Sequence, residues 1–211
     1  MTPIQLYTYA TPNGHKASIM LEETGLPYEV HVVDIGKGDQ KTPEFLAMNP
    51  NNKIPLIVDP DRGRTVSESG AVLFYLAERS GKFMPVSEEA RTTALTWILF
   101  QAAHVGPTLG QIWNWKIFAD EKLPQVIFRF ETEANRLFNV LDVQLGRHAY
   151  LAGEEYGVAD VMTWPWFSIA GPTLQLDLAP YRNLTRWHAE IGQRPAVIQG
   201  LKVPDQVAHK H

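Results

Sequence analysis

The sequence predicts an α/β domain of element order β-α-β-α-β-β-α followed by an all-helical domain. Strand and helix signals alternate through residues 1–80. After Met84-Pro85 the strand signals vanish and long amphipathic patterns replace them. Gly81 and Pro85 punctuate a short stretch between the two regimes. The expected boundaries are residues 1–81 for the α/β domain, 82–86 for a linker and 87–211 for the helical domain.

Each element has a local reason. Ile4 to Tyr9 is rich in β-formers and reads as the first strand. Ala17, Met20, Leu21 and Thr24 recur at helical spacing, with Gly25 as a stop. Tyr28 to Val33 is a second strand and Pro43 to Met48 a short helix. Ile54 to Val58 is a third strand and Thr65 to Ser67 a fourth, joined through Asp59-Pro60-Asp61-Arg62-Gly63. Ser69 opens a helix with Val72, Tyr75, Leu76 and Arg79 on one face and Gly81 as its stop. Helical patterns then cover 87–115, 124–145, 158–170 and 181–193. There is no internal repeat and no low-complexity segment.

Composition excludes several classes of function. The chain has 211 residues, 45% hydrophobic and 20% charged, as expected of a soluble globular protein with a sizeable core. Net charge is −4 without a basic stripe, which argues against nucleic acid or an anionic membrane as partner. There is no cysteine, which removes disulfides, thiolate metal sites and any cysteine nucleophile. No run of about 18 apolar residues is present to span a bilayer. The N-terminus, Met-Thr-Pro-Ile-Gln, carries no charged-then-apolar signal. The expected compartment is the cytoplasm.

Features that suggest chemistry are few. Tyr7 to Lys16 reads YTYATPNGHK, a strand that turns through Thr11-Pro12-Asn13-Gly14 into a helix. Such a turn can hold an anion or a reactive group, yet it has no cysteine and no acid. Gly36-Lys37-Gly38-Asp39-Gln40-Lys41 resembles a phosphate loop but lacks the third glycine and the Gly-Lys-Ser/Thr ending. It reads as a glycine-rich surface loop whose Gln40 and Lys41 remain available to a ligand. The seven histidines form no helical pair with a third ligand nearby, so no metal is expected. His209 and His211 fall on a tail expected to fray. Trp113, Trp115, Phe118, Trp164, Trp166 and Phe167 form two aromatic groups, read first as core and second as an apolar wall for a substrate.

Two further motifs suggest a ligand with peptide and amino-acid character. A proline at the start of a strand gives no N–H to the ladder. A cis Ile54-Pro55 bond would turn the N–H and C=O of Ile54 outward toward an extended ligand. Only about 5–6% of X–Pro bonds are cis, so the sequence alone does not require it. In Glu68-Ser69-Gly70 the plain role of Ser69 is the N-cap. A helix N-terminus also holds a carboxylate, and the Glu68 carboxylate can take an ammonium. One molecule with both groups on one carbon satisfies both residues.

Together these motifs resemble the cytosolic glutathione transferases, whose first domain is thioredoxin-like and whose second is all-helical. The match in order runs over essentially the whole chain. Thr11-Pro12-Asn13-Gly14, Asn49-Pro50-Asn51-Asn52-Lys53-Ile54-Pro55 and Glu68-Ser69-Gly70-Ala71 resemble the nu class. That class includes bacterial glutathione-dependent disulfide-bond oxidoreductases, and the globular domain of the yeast nitrogen-regulating prion protein is similar. Gly106-Pro107-Thr108-Leu109-Gly110-Gln111, Ala159-Asp160, Trp164-Pro165-Trp166, Trp187 and Arg194-Pro195-Ala196 agree with it in the helical half.

The resemblance implies a set of roles. Ser69 and nearby helix N–H groups would hold the γ-glutamyl carboxylate of glutathione, and Glu68 its ammonium. The Ile54 backbone would pair with the cysteinyl unit, with Pro55 as the family's cis-proline. Lys53 and Gln40 would meet the glycyl carboxylate. Thr11 and Asn13 would face the sulfur as the catalytic pair. Arg129, with Arg136 as a competing choice, would reach the ligand from the second subunit of a homodimer. Gly157 stands where many relatives carry a Ser or Thr helix cap. Tyr9 stands where tyrosine-type transferases place their catalytic hydroxyl, although an ordinary strand residue is its plainer reading.

The implied cosubstrate, reduced or oxidised glutathione, answers the question the cysteine-free turn raises. A free thiol has a pKa near 8.5, so a few percent is thiolate at neutral pH. Lowering it by about two units needs roughly 2.7 kcal/mol. A partly buried helix N-terminus supplies up to ~2 kcal/mol, and one hydrogen bond to a charged acceptor roughly 1.5–3 more. The expected activity is disulfide reduction by bound glutathione thiolate. Conjugation of glutathione to small electrophiles and a non-catalytic glutathione-binding role are the alternatives.

Overall fold

A computed structural model describes residues 1–204. The chain divides into two compact units: Met1–Met84 together with the segment from Gln193, and Pro85–Gly192. His209 and His211 lie outside the described residues.

The first unit is built on a four-stranded mixed sheet in the order β2-β1-β3-β4. Strand β1 (Ile4–Thr8) lies parallel to β2 (Tyr28–Val32) and antiparallel to β3 (Leu56–Asp59), which pairs antiparallel with β4 (Arg64–Ser67). β1 alternates in burial, with Ile4, Leu6 and Thr8 on the covered face. Helix α1 (Pro12–Thr24) starts on an extended Thr11 cap and ends where the Gly25 N–H donates to the Leu21 carbonyl. A short 3₁₀ turn, Asp39–Lys41, precedes α2 (Pro43–Met48), and α3 (Ser69–Ser80) closes the β-α-β-α-β-β-α order. Leu6, Ile19, Met20, Leu21, Leu56, Ile57, Leu73 and Leu76 are fully buried between sheet and helices. Val33, Phe45 and Leu56 form a second cluster, against which Tyr7, Met48 and Ile54 pack.

The segment after Gln193 forms helix α9 (Pro195–Gly200), which packs on α1. Gly200 is obligatory there, because a Cβ would sit 2.6 Å from the Ile19 Cα. The Ser18 hydroxyl donates to the Gly200 carbonyl at 2.7 Å. Arg194 donates to both carboxylate oxygens of Glu23, at 2.7 and 3.0 Å.

The second unit is helical. Helix α4 (Glu88–Phe100) continues through a π-helical stretch, Gln101–Val105, into α5 (Gly106–Trp113) and a second π stretch, Asn114–Phe118. The expected helix over 87–115 is thus one rod containing two π segments. Helices α6 (Pro124–Leu145), α7 (Val158–Ala170) and α8 (Arg182–Gly192) follow. The Trp164 group is core: Trp164, Trp166 and Phe167 are buried. The other group is split, with Trp113 half-buried and stacked on an exposed Phe118.

Asp160 ties this unit together. Its Oδ1 accepts from the Leu151 N–H at 3.0 Å and the Trp187 indole at 2.8 Å, and its Oδ2 from the Gly157 N–H at 3.0 Å. Glycine has no side chain to return a bond, so only the Asp160 half of a capping box exists at this helix start. Burial pushes the Asp160 carboxyl up to about 6, against the pull of those three donors.

Candidate active site

The strand–turn–helix at Thr11 is tightly determined. Pro12 occupies the first helical position, where a missing N–H costs nothing. Thr11 Oγ1 accepts from the Gly14 N–H at 3.1 Å, and its carbonyl from the His15 N–H at 2.9 Å. A Cβ on Gly14 would fall 2.1 Å from the Tyr9 carbonyl oxygen and 2.6 Å from Thr8 Oγ1, so only glycine fits. Half-buried Asn13 lies in the first turn of α1, whose N–H groups have no carbonyl four residues earlier in the helix.

Below this turn two side chains are shaped by burial. The ring of His15 is pushed down to about 4 by burial, and its Nε2 finds no hydrogen-bond partner among the described residues. Lys16 is 1% exposed, and its Nζ lies 3.4 Å from Ser69 Oγ. Burial drives its ammonium well below the ordinary value, and the Glu68 carboxylate opposes that.

The start of α3 differs from the sequence expectation in one respect. Its N-cap is Glu68, and Ser69 is the first helical residue, so the reading of Ser69 as N-cap is corrected. Glu68 has φ 68 and ψ 120, a left-handed conformation that costs a non-glycine residue on the order of 1–3 kcal/mol. It leaves the carboxylate exposed, with one oxygen accepting from Asn51 Nδ2 at 3.2 Å. The side chain thus forgoes the helix cap and faces outward beside Ser69.

The remaining sequence candidates fall on both units. Ile54-Pro55 is cis, and Ile54 stands two residues ahead of Leu56, where the pairing of β3 with β1 ends. Lys53 is exposed, and its carbonyl accepts from Asn49 Nδ2 at 2.8 Å. Asn49 itself is buried, and its Oδ1 accepts from the Asn51 N–H at 3.1 Å. One side chain therefore shapes the whole loop from 49 to 53. Gln40 donates to the Ile35 carbonyl at 3.4 Å, within its own loop. Arg129 is exposed on α6 in the second unit, whereas Arg136 is clamped on Glu133 at 2.9 and 2.6 Å.

Tyr9 is committed elsewhere. Its hydroxyl donates to the Asp34 carboxylate, and burial together with that bond holds it above the ordinary tyrosine value. A hydroxyl so engaged is a poor donor to a thiolate.

Lys16, Asn49 and Asn51 were not singled out by sequence reasoning. Lys16 carries one signal, a cation one residue from the apolar stripe of Ala17 and Met20. The two asparagines stand in the Asn49–Pro55 motif that carries the family resemblance, but nothing in it assigns either side chain a role. Among the described residues no cluster of His, Cys, Asp or Glu could hold a metal ion, and no helix is long and apolar enough to cross a membrane.

Residues 10–79 match the family model for the glutathione S-transferase N-terminal domain, and residues 97–195 match that for the C-terminal domain. Over 203 residues the chain is 43% identical to the disulfide-bond oxidoreductase YfcG of Escherichia coli, covering 94% of each. A Burkholderia graminis glutathione transferase, crystallised with two glutathione molecules per subunit, superposes with TM-score 0.91 at 40% identity, over 97% of this chain and 89% of that one. A Pseudomonas putida glutathione transferase with one glutathione disulfide per subunit gives TM-score 0.91 at 38% identity, over 96% and 92%.

Proposed function

The chain belongs to the glutathione S-transferase family, and on that premise we propose that it reduces small disulfides with the thiolate of bound glutathione. The observation that carries this reading is the Thr11–Gly14 turn. It places a hydroxyl and the start of a helix together in a chain that has no cysteine. A nucleophile supplied by the cosubstrate needs only to be bound, oriented and kept ionised.

Each of those tasks has a residue. The Ser69 hydroxyl and the α3 N-terminus take the γ-glutamyl carboxylate, and the exposed Glu68 carboxylate takes the ammonium. The backbone of Ile54, ahead of cis-Pro55, pairs with the cysteinyl unit. Lys53 and Gln40 take the glycyl carboxylate. Thr11 and Asn13 donate to the sulfur in the positive field of α1. Arg129 completes the site from the second subunit of a homodimer, a choice the Glu133 clamp on Arg136 favours.

In the exchange itself, glutathione thiolate attacks one sulfur of the disulfide and expels the other as thiolate. A second glutathione resolves the mixed disulfide to oxidised glutathione and the second substrate thiol. Two glutathione molecules in the Burkholderia relative and glutathione disulfide in the Pseudomonas relative are the reactants and product of that sequence, and they support it. A reducing cytoplasm supplies the glutathione as thiol. Conjugation assisted by Tyr9 loses support from the Asp34 bond.

The test is a coupled assay of glutathione-dependent reduction of a small model disulfide, run beside conjugation to a chloronitrobenzene. Disulfide turnover well above the uncatalysed rate with weak conjugation supports the reading. Strong conjugation with background reduction overturns it.

A further inference from the structure

Asn51 has no part in the roles above, yet its side chain meets a residue that has one. Its Nδ2 donates to Glu68 Oε1 at 3.2 Å, although 17 residues separate the two in sequence. A carboxylate only accepts, so the amide must turn its NH₂ toward it, and one such bond leaves capacity for an ammonium. Both ends of the bond are held by their backbones. The Asn51 N–H donates to Oδ1 of Asn49 at 3.1 Å, and Asn49 is 3% exposed. The Asn49 amide also donates to the Lys53 carbonyl at 2.8 Å, and the Asn49 carbonyl accepts the Asn52 N–H at 3.0 Å. Opposite, Glu68 stands at φ 68 as the residue before α3, and its side chain makes no capping bond there. An exposed glutamate samples many rotamers and loses that freedom when a ligand orders it. An amide fixed in front of one oxygen removes part of that cost before the ligand arrives.

We propose that Asn51 is a positioning residue for the ligand's α-ammonium. By holding the Glu68 carboxylate it gives this end of the site its preference for a free α-amino group. The loop that carries Asn51 also carries Lys53 and Ile54, so one buried side chain, Asn49, sets the ammonium end and the cysteinyl end together. The proposal rests on the glutathione reading and deepens it.

The experiment is calorimetric titration of wild type, Asn51→Ala, Asn51→Gln, Glu68→Gln and the double variant Asn51→Ala/Glu68→Gln with two ligands. One is reduced glutathione, and the other is glutaryl-cysteinylglycine, the analogue that lacks only the α-amino group. Wild type is expected to prefer glutathione by about tenfold or more, the worth of one charge-assisted hydrogen bond. Asn51→Ala should weaken glutathione by roughly fivefold and leave the glutaryl compound within about twofold. Asn51→Gln, which keeps an amide donor on a longer arm, should recover part of the loss. In the Glu68→Gln background Asn51→Ala should change glutathione binding by no more than about twofold, because the group it positions is already gone. Equal weakening of both ligands, or a full loss that persists in the Glu68→Gln background, is what a loop-shaping role produces and overturns the proposal. Wild type that binds both ligands equally overturns this proposal and leaves the glutathione reading standing. Wild type that binds neither overturns both. Should the Asn51 variants fail to fold, the side-chain amide resonances of Asn51 in wild type decide. A shift with glutathione but not with the glutaryl compound supports the proposal, and the same response to both overturns it.

Discussion

Thr11 Oγ1 accepts the Gly14 N–H at 3.1 Å, so the hydroxyl assigned to the thiolate is also the cap that starts α1. The two uses are compatible, because the oxygen accepts one hydrogen bond while its proton remains to be donated. They also make the position a poor one for deletion. Removing the hydroxyl costs about 1 kcal/mol of helix capping as well as the donor. Asn13, between the two partners, separates the catalytic role from the structural one.

Gly14→Ala is expected to damage the fold before it touches chemistry. The added Cβ would meet the Tyr9 carbonyl oxygen at 2.1 Å, and a backbone atom has no rotamer with which to escape. A loss of at least about 2 kcal/mol follows, seen as a melting temperature lower by roughly 5 °C or more. A variant that melts with wild type would show that the turn is looser than described.

Ser69→Ala is expected to act on binding. The KM for glutathione should rise by at least about tenfold while kcat stays within roughly twofold, because the lost contact holds substrate and transition state alike. A fall in kcat at unchanged KM would place Ser69 at the reacting sulfur instead.

Acid should cost stability through His15. Its folded value is about 4 against an ordinary 6.5. Between those limits the unfolded chain holds a proton on this ring and the folded chain does not. Stability from this group is therefore present above pH 6.5 and lost as pH falls toward 4, on the order of 3 kcal/mol in all. Asp160, whose folded value is raised to about 6, works in the opposite sense over much the same window. The comparison of wild type with His15→Leu isolates the ring. Denaturant titrations at pH 7.5 and pH 4.5 should show a smaller acid loss in the variant, and an equal loss would refute the assignment.

Asp160→Asn should destabilise the helical unit by about 2–3 kcal/mol. The carboxylate serves three donors with two oxygens, and the amide NH₂ of asparagine can accept from none of them. Urea unfolding followed by tryptophan fluorescence measures the change. Unaltered unfolding would mean that the network is slack.

Elements with a short-range cause are legible in the sequence. Gly25 and Gly81 end α1 and α3, and Pro12, Pro43 and Pro124 start their helices. The third strand begins at Leu56 and not at Ile54. Pro55 has no N–H to give, and the ladder with β1 runs only from Leu56 to Val58. Features created by distant contacts are not legible. The π segments depend on how the α4–α5 rod packs, and the return of α9 to α1 depends on Gly200 meeting Ile19. The same holds for the site. Thr11, Asn13, Glu68 and Ser69 stand in motifs that resemble those of known relatives. Asn51 gains its meaning only when its loop and the start of α3 bring its Nδ2 to Glu68. The conformation of Glu68 likewise exists only in three dimensions.

The central chemical claim for this protein is that a turn without cysteine, acid or base lowers the pKa of a bound thiol. Thiolate absorbance of enzyme-bound glutathione, titrated from pH 4 to 10 in wild type and Asn13→Ala, measures this directly. The bound thiol is expected to titrate about two units below its free value in wild type, and to lose most of that shift in Asn13→Ala. A bound thiol that titrates as it does in free solution, or a full shift that survives in Asn13→Ala, would contradict that claim.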